Sequence, residues 1–436
     1  MTVDDCLATA PRQESERIVD LALAEGGLRT VFQPIVDLRT RQRVGVEALS
    51  RGPVRTPYER PDLLFAAARD VRRLAELDWA CRCQAFRTAA AAELRPPTRL
   101  FVNAEPQTIG TACPTHLLRD WVCAHRRLRV VVEVTERDLC DAPGDLLRVA
   151  ATLHELGWEV ALDDVGANDA GVALLPVLRP DIVKLDMALL APRLSSGQRA
   201  VLRAVEAYVA TSGAAVVAEG IETEAHLARA RALGADWGQG WLLGRPEPLA
   251  PAVRTGSVGK PPLVAARPGV DARVRADPYR VLATAQDRRQ EPARRLSTDA
   301  LLTEVQRTCE DALALSGGSL ALVVLGSSVA VPAGLPSLLA RLRDVCALVV
   351  LLTHEGAASS CSAVRTTVLD DGDPLLQDAA VVMLSPERAL VLHARAQPDG
   401  GWACRRTVDP QEVGESARML LTRAAAVERD AVLALG

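Results

Sequence analysis

The sequence predicts an α/β protein in two units: a (β/α)8 barrel of roughly 250 residues, then a smaller α/β or α+β domain. Three observations carry this reading. At 436 residues the chain exceeds what one hydrophobic core normally serves. From Arg29 to Leu243, short β-branched runs alternate with longer Ala/Leu/Arg segments of helical period. From Pro246 to about Arg275, Pro and Gly recur with few periodic hydrophobics, as in an interdomain connection. The expected boundaries are a barrel over 1–250, a linker over 251–290 and a second domain over 291–436.

A helical segment at 14–26 comes first, followed by eight strand candidates at 29–36, 43–49, 98–103, 129–134, 158–163, 181–185, 214–219 and about 239–243. Only TRQR separates the first strand from the second, which is the spacing of a hairpin. The first pair is therefore expected to run antiparallel, making the barrel irregular; an open doubly wound sheet is the structural alternative. In the second unit a helix at 297–314 precedes apolar runs at 319–325, 346–353, 379–384, 388–395 and 402–408, and an amphipathic helix follows at 410–431. These predict a sheet of about five strands.

Composition narrows the function. Aromatics make up 3% of the chain, so Ala, Leu and Val carry the packing of an apolar fraction of 49%. A net charge of −4, with bases and acids nearly balanced, gives no broad field for gripping a nucleic acid polymer or an anionic membrane. The N-terminus lacks a signal peptide's basic start and apolar run. The most apolar run, Val345 to Leu352, falls far short of the ~20 residues of a spanning helix. A cytoplasmic protein is expected. Its ten cysteines are scattered, which reads as reduced thiols used in packing.

The chemistry lies in where polar residues fall. Glu47 closes VGVE, Asn103 closes LFVN, Glu133 closes VVVE, Asp163 and Asp164 close VALDD, Lys184 and Asp186 close DIVKLD, and Glu219 closes AVVAE. In a β/α barrel the C-terminal strand ends meet on one face. One acid at a strand end caps a helix or starts a loop. Six strands ending this way crowd like charges that repel unless cations neutralise them. A rim of salt bridges to the many arginines is the plain alternative, and it leaves Asn103 and the Asp163-Asp164 pair without a purpose. Carboxylates plus an amide oxygen are hard ligands that suit Mg2+ or Mn2+ better than zinc. Two such ions, with a lysine beside the attacking water, point to phosphodiester hydrolysis.

QPIVDL at 33–38 and VGVEALSR at 44–51 resemble the signature of the EAL family of cyclic di-GMP phosphodiesterases. FVNAEP (101–106), VVEVTE (131–136), ALDDVG (161–166), IVKLDMALL (182–190), VVAEGIET (216–223) and GQGWLLGRP (238–246) are similar to that family's later blocks, in order. The resemblance implies a modified TIM barrel that opens cyclic di-GMP to linear pGpG with two Mg2+ or Mn2+ ions. It implies that Glu47, Asn103, Glu133 and Asp163 hold one ion and that Asp163, Asp164 and Glu219 hold the other. Lys184 would serve the attacking water, with Asp186 beside it. Gln33, Arg51, Glu222 and Gln239 match substrate-side positions, and Glu136 matches an acid that anchors a loop near the metals. A homodimer is the family expectation. One block departs. Where the family usually has Phe-Gly-Thr-Gly and an aromatic, this chain has Val165, Gly166, Ala167, Asn168 and Asp169. A working enzyme and a receptor that binds cyclic di-GMP without cutting it are both consistent with that change.

The second domain is similar to the DICT sensory domain through DPLLQDAAVVMLSPERALVLHAR at 373–395, although Ala379 or Ala380 stands where that family commonly has Trp. The resemblance implies a signal-receiving role for an unknown ligand or protein. His354, His393 and Trp402 read as structural residues of that domain before ligands, and Arg126, Arg127 and Arg129 read as a solvated loop.

Overall fold

A computed structural model describes residues 3–105, 108, 111–135, 143–167, 172, 175–249, 277–288, 292–313, 319–329, 331–332, 334–358, 361, 364–385 and 388–433. Helix α1 (Val3–Leu23) leads into β1 (Arg29–Asp37) and β2 (Arg43–Arg51), then α2 (Pro61–Asp70), α3 (Leu74–Ala91), β3 (Arg99–Asn103), α4 (Leu118–Arg127), β4 (Arg129–Thr135) and α5 (Pro143–Glu155). There follow β5 (Glu159–Val165), α6 (Leu175–Leu178), β6 (Ile182–Leu185), α7 (Ser196–Ser212), β7 (Ala215–Ala218), α8 (Glu224–Ala232) and β8 (Trp237–Gly238). The eight strands close into a barrel in sequence order. β1 runs antiparallel to both β2 and β8, as the short hairpin requires, and the other pairs are parallel.

The last strand sits earlier than the expected 239–243. Leu243 instead donates back to the Gly240 carbonyl at 2.9 Å, and Gly240 lies so near the Ile221 backbone that a Cβ would come within 2.3 Å of it. A turn, not a strand, satisfies that approach.

The barrel axis is plugged by Ile35, Phe101, Val131, Ile182 and Trp237, all buried. Gly45 makes room for the plug, since a Cβ there would stand 2.7 Å from the Phe101 ring. A second layer of Val, Leu and Ala joins the outer strand faces to the surrounding helices.

The second domain comprises α9 (Pro278–Arg288), β9 (Arg294–Leu296), α10 (Thr298–Ala312), β10 (Leu320–Leu325), α11 (Leu335–Val345), β11 (Leu348–Thr353), α12 (Glu355–Ala358), β12 (Arg365–Val368), β13 (Asp378–Leu384), β14 (Ala389–Ala396), β15 (Trp402–Thr407) and α13 (Pro410–Leu433). Its sheet has seven strands in the order β12-β11-β10-β13-β14-β15-β9, two more than the apolar runs suggested. The extra two are the sheet's edges, short and half exposed, so neither has an apolar run to betray it. Of the stretch expected as linker, 251–276 lies outside the described residues. Helix α9 follows it and is fastened to the sheet. Arg395 on β14 donates to Asp277 and to the fully buried Asp378, and its guanidinium lies 4.7 Å over the Tyr279 ring. His393 contacts the same Asp378 carboxylate at 2.9 Å, and the Trp402 indole donates to Thr298, so both are structural.

Helix α13 belongs to two cores. One side packs on β12, β13 and β14, and another packs on α5 and α6 of the barrel. Val413, Ala417, Leu420 and Leu421 are buried in one apolar cluster with Leu175 and Val177 of the barrel.

Candidate active site at the barrel mouth

The strand period of two explains why scattered residues meet. Phe101, Val131, Ala161, Ile182, Val217 and Trp237 all point into the barrel. Two residues on, the next inward position of the same strands holds Asn103, Glu133, Asp163, Lys184, Glu219 and Gln239. Each polar group thus stands one layer above the apolar plug. Glu47 joins them from the middle of β2, which continues to Arg51 beyond the expected end.

Lys184 is the hub. Its side chain is completely buried, and Nζ lies 2.6 Å from Glu133 Oε1, 2.8 Å from Glu219 Oε1, 2.9 Å from Asp163 Oδ1 and 3.9 Å from Glu47 Oε2. Burial disfavours the ammonium, but Asp163, Glu133, Glu219 and Glu47 outweigh it and hold Lys184 well above the ordinary lysine range. Burial lifts Glu133 well above the usual carboxylate range against the pull of Lys184, with repulsion from Glu47 and Asp163 adding to it. For the same leading reason Glu219 is raised to about 8, and Asp164 is raised by burial and then by its neighbour Asp163. Neither Glu133 oxygen receives a directed hydrogen bond from the described residues, Lys184 approaching off-angle.

Asp163, Asp164 and Glu219 present carboxylate oxygens within 4.8 Å of one another. Asp164 is held in the left-handed region, φ +57, which turns its side chain out of the strand's alternation. Asn103 Nδ2 donates to Glu47 Oε1 at 3.1 Å, and Gln239 Nε2 donates to the other Glu47 oxygen and to Gln33 Oε1. Gln33 in turn donates to the Gly244 carbonyl, so a relay of amides fixes the Glu47 carboxylate. Asp186 is spent on its own backbone, accepting from Ala188 N at 2.8 Å to cap a short 3-10 turn.

Two openings flank the cluster. One, of about 590 Å3, is walled by Arg51, Arg69, Arg82, Asn103, Glu105 and Asp164. The other, of about 290 Å3, is reached past Gln33, Asp186, Glu219, Glu222, Gln239 and Trp241. Of the site residues the family resemblance implied, Glu136 lies outside the described residues, as do Asn168 and Asp169 of the altered loop; the other implied site residues line the cluster or its two openings. Arg69 and Arg82 were not anticipated. Arg82 pairs with buried Asp78 at 2.8 Å and stacks 3.9 Å over the Trp79 ring, and its only sequence signal is an Asp and Arg four apart on a helix.

A family model described as EAL domain matches residues 16–246. The chain belongs to the EAL domain family. The chain is 29% identical over 253 residues to PdeD of Escherichia coli K12, a probable cyclic di-GMP phosphodiesterase, covering 56% of this chain and 46% of that protein. PdeB of the same organism, also a probable cyclic di-GMP phosphodiesterase, is 27% identical over 221 residues, covering 50% and 42%. The chain spans less than half the length of either relative. Among solved structures, the manganese/cyclic di-GMP complex of Klebsiella pneumoniae BlrP1 superposes with a TM-score of 0.45 at 28% identity, over 52% of this chain and 57% of that one. The second domain lies beyond the matched residues. Among the described residues, no helix is long and apolar enough to cross a membrane.

Proposed function

We propose that the EAL barrel hydrolyses cyclic di-GMP to linear pGpG with two Mg2+ or Mn2+ ions, and that the C-terminal domain adjusts this activity. Charge carries the reading. Glu47, Glu133, Asp163, Asp164 and Glu219 converge on one mouth against a single ammonium, Lys184, leaving a formal −4 that two divalent cations would neutralise. The donors are hard oxygens, and the Glu133 carboxylate lacks directed donors, so the residues fit such ions. Glu47, Asn103, Glu133 and Asp163 would hold one, and Asp163, Asp164 and Glu219 the other. Bound there, divalent cations acidify water and offset charge on a phosphate.

The chain's own groups supply the rest. Lys184 orients water beside Asp163 through its ammonium and holds the mutually repelling carboxylates together. The Gln33–Gln239 relay fixes the Glu47 carboxylate in place. Arg51 brings a guanidinium to the larger opening, whose volume lies in the range of roughly 300–1,000 Å3 typical of ligand pockets. Glu222 lines the smaller opening, where its carboxylate would meet the polar edge of a bound nucleotide. The family membership and the description of PdeD and PdeB support the same substrate. The second domain's likeness to DICT domains supports a regulatory role, and a homodimer belongs to the same proposal.

A second reading, a cyclic di-GMP receptor, is favoured by Val165, Gly166 and Ala167 after the aspartate pair. Val165 is fully buried, and a Cβ at Gly166 would stand 2.5 Å from the Leu189 side chain. Purified protein with Mg2+ and cyclic di-GMP separates the two: pGpG production supports the enzyme, and tight binding without product supports the receptor. Glu47→Ala abolishes turnover in the first case. Full activity and unchanged cation affinity in that variant would exclude the assignment.

A further inference from the structure

We infer that α13 positions the Asp163–Asp164 pair, so that the seating of the second sheet on the barrel sets the affinity of the site for divalent cations. This rests on the proposed function for the divalent cations at the site and for its effect on turnover.

The barrel helices beneath α13 are the two that flank β5. Three residues separate α5 from β5, and the chain leaving β5 continues into α6. β5 carries the Asp163–Asp164 pair just before its last residue, Val165, and β6, which follows α6, carries Lys184. One buried carboxylate, Asp181, which lies between the end of α6 and the start of β6, ties α5 and β5 to that segment. Asp181 Oδ2 lies 2.8 Å from His154 Nε2 on α5 and accepts from Val160 N on β5 at 2.9 Å, while Asp181 N donates to the Val160 carbonyl. A displacement of α5 and α6 therefore carries β5 and β6 with it.

The contact from above is close and specific. Gly414 of α13 lies against Pro176 of α6, where a Cβ would come within 2.9 Å of the Pro176 Cβ. Next to it, Glu415 accepts from Arg179 just past the end of α6. Arg179 has a left-handed backbone, φ +56, a conformation a β-carbon residue adopts only where its surroundings hold it. The other side of α13 is tied to the second domain, Arg423 pairing with Asp373 at 3.1 Å. The helix is anchored at both faces and moves with the sheet. Two carboxylates whose oxygens must stay within 4.8 Å of a third to share a cation are sensitive to small shifts of the strand that bears them.

The test uses the full chain with Glu415→Arg, Arg179→Glu, the two combined, and Gly414→Leu. Mn2+ alone is titrated, with free ion read by electron paramagnetic resonance, and kcat and KM for cyclic di-GMP are measured separately. Each single variant weakens Mn2+ binding by about five-fold or more, and the exchanged pair recovers most of it. Where turnover is present, kcat falls with little change in KM. Wild-type Mn2+ affinity in the single variants, or no recovery in the exchanged pair, overturns the inference while leaving the phosphodiesterase reading intact. Coupled Mn2+ affinity in a chain that cleaves nothing upholds the inference and removes that reading. Should Gly414→Leu fail to fold, the exchanged pair decides.

Discussion

Replacing Lys184 by Met tests the electrostatics of the mouth directly, because Met keeps most of the volume and deletes the charge. The ammonium is completely buried and lies 2.6 to 2.9 Å from Glu133, Glu219 and Asp163. Glu133 is 1% exposed and Glu47 6%, so water cannot take over the lysine's task. Removing one partner of a buried ion pair costs about 3–5 kcal/mol. Here the carboxylates soften that loss only by taking up protons. At roughly 2–4 °C per kcal/mol for a domain of this size, the cation-free variant melts about 6–20 °C below the parent chain. Divalent cations then recover more for the variant than for the parent. At a hundred times its dissociation constant, a bound ion contributes about 2.7 kcal/mol, and in the variant it also relieves repulsion that the ammonium otherwise screens. Calorimetry in EDTA and again in millimolar Mg2+ measures both effects. Equal melting temperatures in EDTA, or an identical Mg2+ increment in the two chains, would refute the reasoning.

Two other perturbations probe separate regions. Arg395→Met strips the fully buried Asp378 of its two guanidinium hydrogen bonds and frees Asp277 at the start of α9. The second domain should lose about 3–5 kcal/mol in denaturant unfolding; an unaltered midpoint counts against the fastening of α9. Burial pushes the Cys81, Cys83 and Cys309 thiols up to about 12. They stay protonated in the folded chain at pH 9, where an ordinary thiol of pKa about 8.5 is largely thiolate. A disulfide reagent should therefore label them only after denaturation. Because the unfolded thiols ionise and the folded ones do not, stability falls as pH climbs from about 8.5 toward 12; rapid labelling of native Cys81 or Cys309 would contradict this.

The barrel and the inner ring of its site are legible in the sequence because closure imposes strict alternation. An acid, amide or lysine that interrupts an inward apolar series, as Glu133 does after Val131 or Lys184 after Ile182, has one place to go. The outer wall is not legible in this way. Arg69 is the one arginine of α2 and Arg82 one of two on α3, and no period marks either as looking into the cavity. The displaced β8 has a different cause, a backbone approach between Gly240 and Ile221 that no local propensity encodes.

The second domain shows what pattern reading cannot reach. Its central strands are continuous apolar runs and declare themselves, whereas β9 and β12 present charged and hydroxyl side chains because an edge needs little burial. Helix α13 is harder still. Val413, Ala417, Leu420, Leu421 and Ala424 read as the single stripe of an ordinary amphipathic helix, and that stripe says only that something covers it. What places the helix on the barrel is a glycine matched to Pro176 and an acid matched to Arg179, two residues without hydrophobic signature whose partners lie more than 230 positions earlier. Such a junction is specified by pairwise fit, not by periodicity. Its energetic weight is therefore accessible through paired substitutions, in which the second change either restores what the first removes or does not.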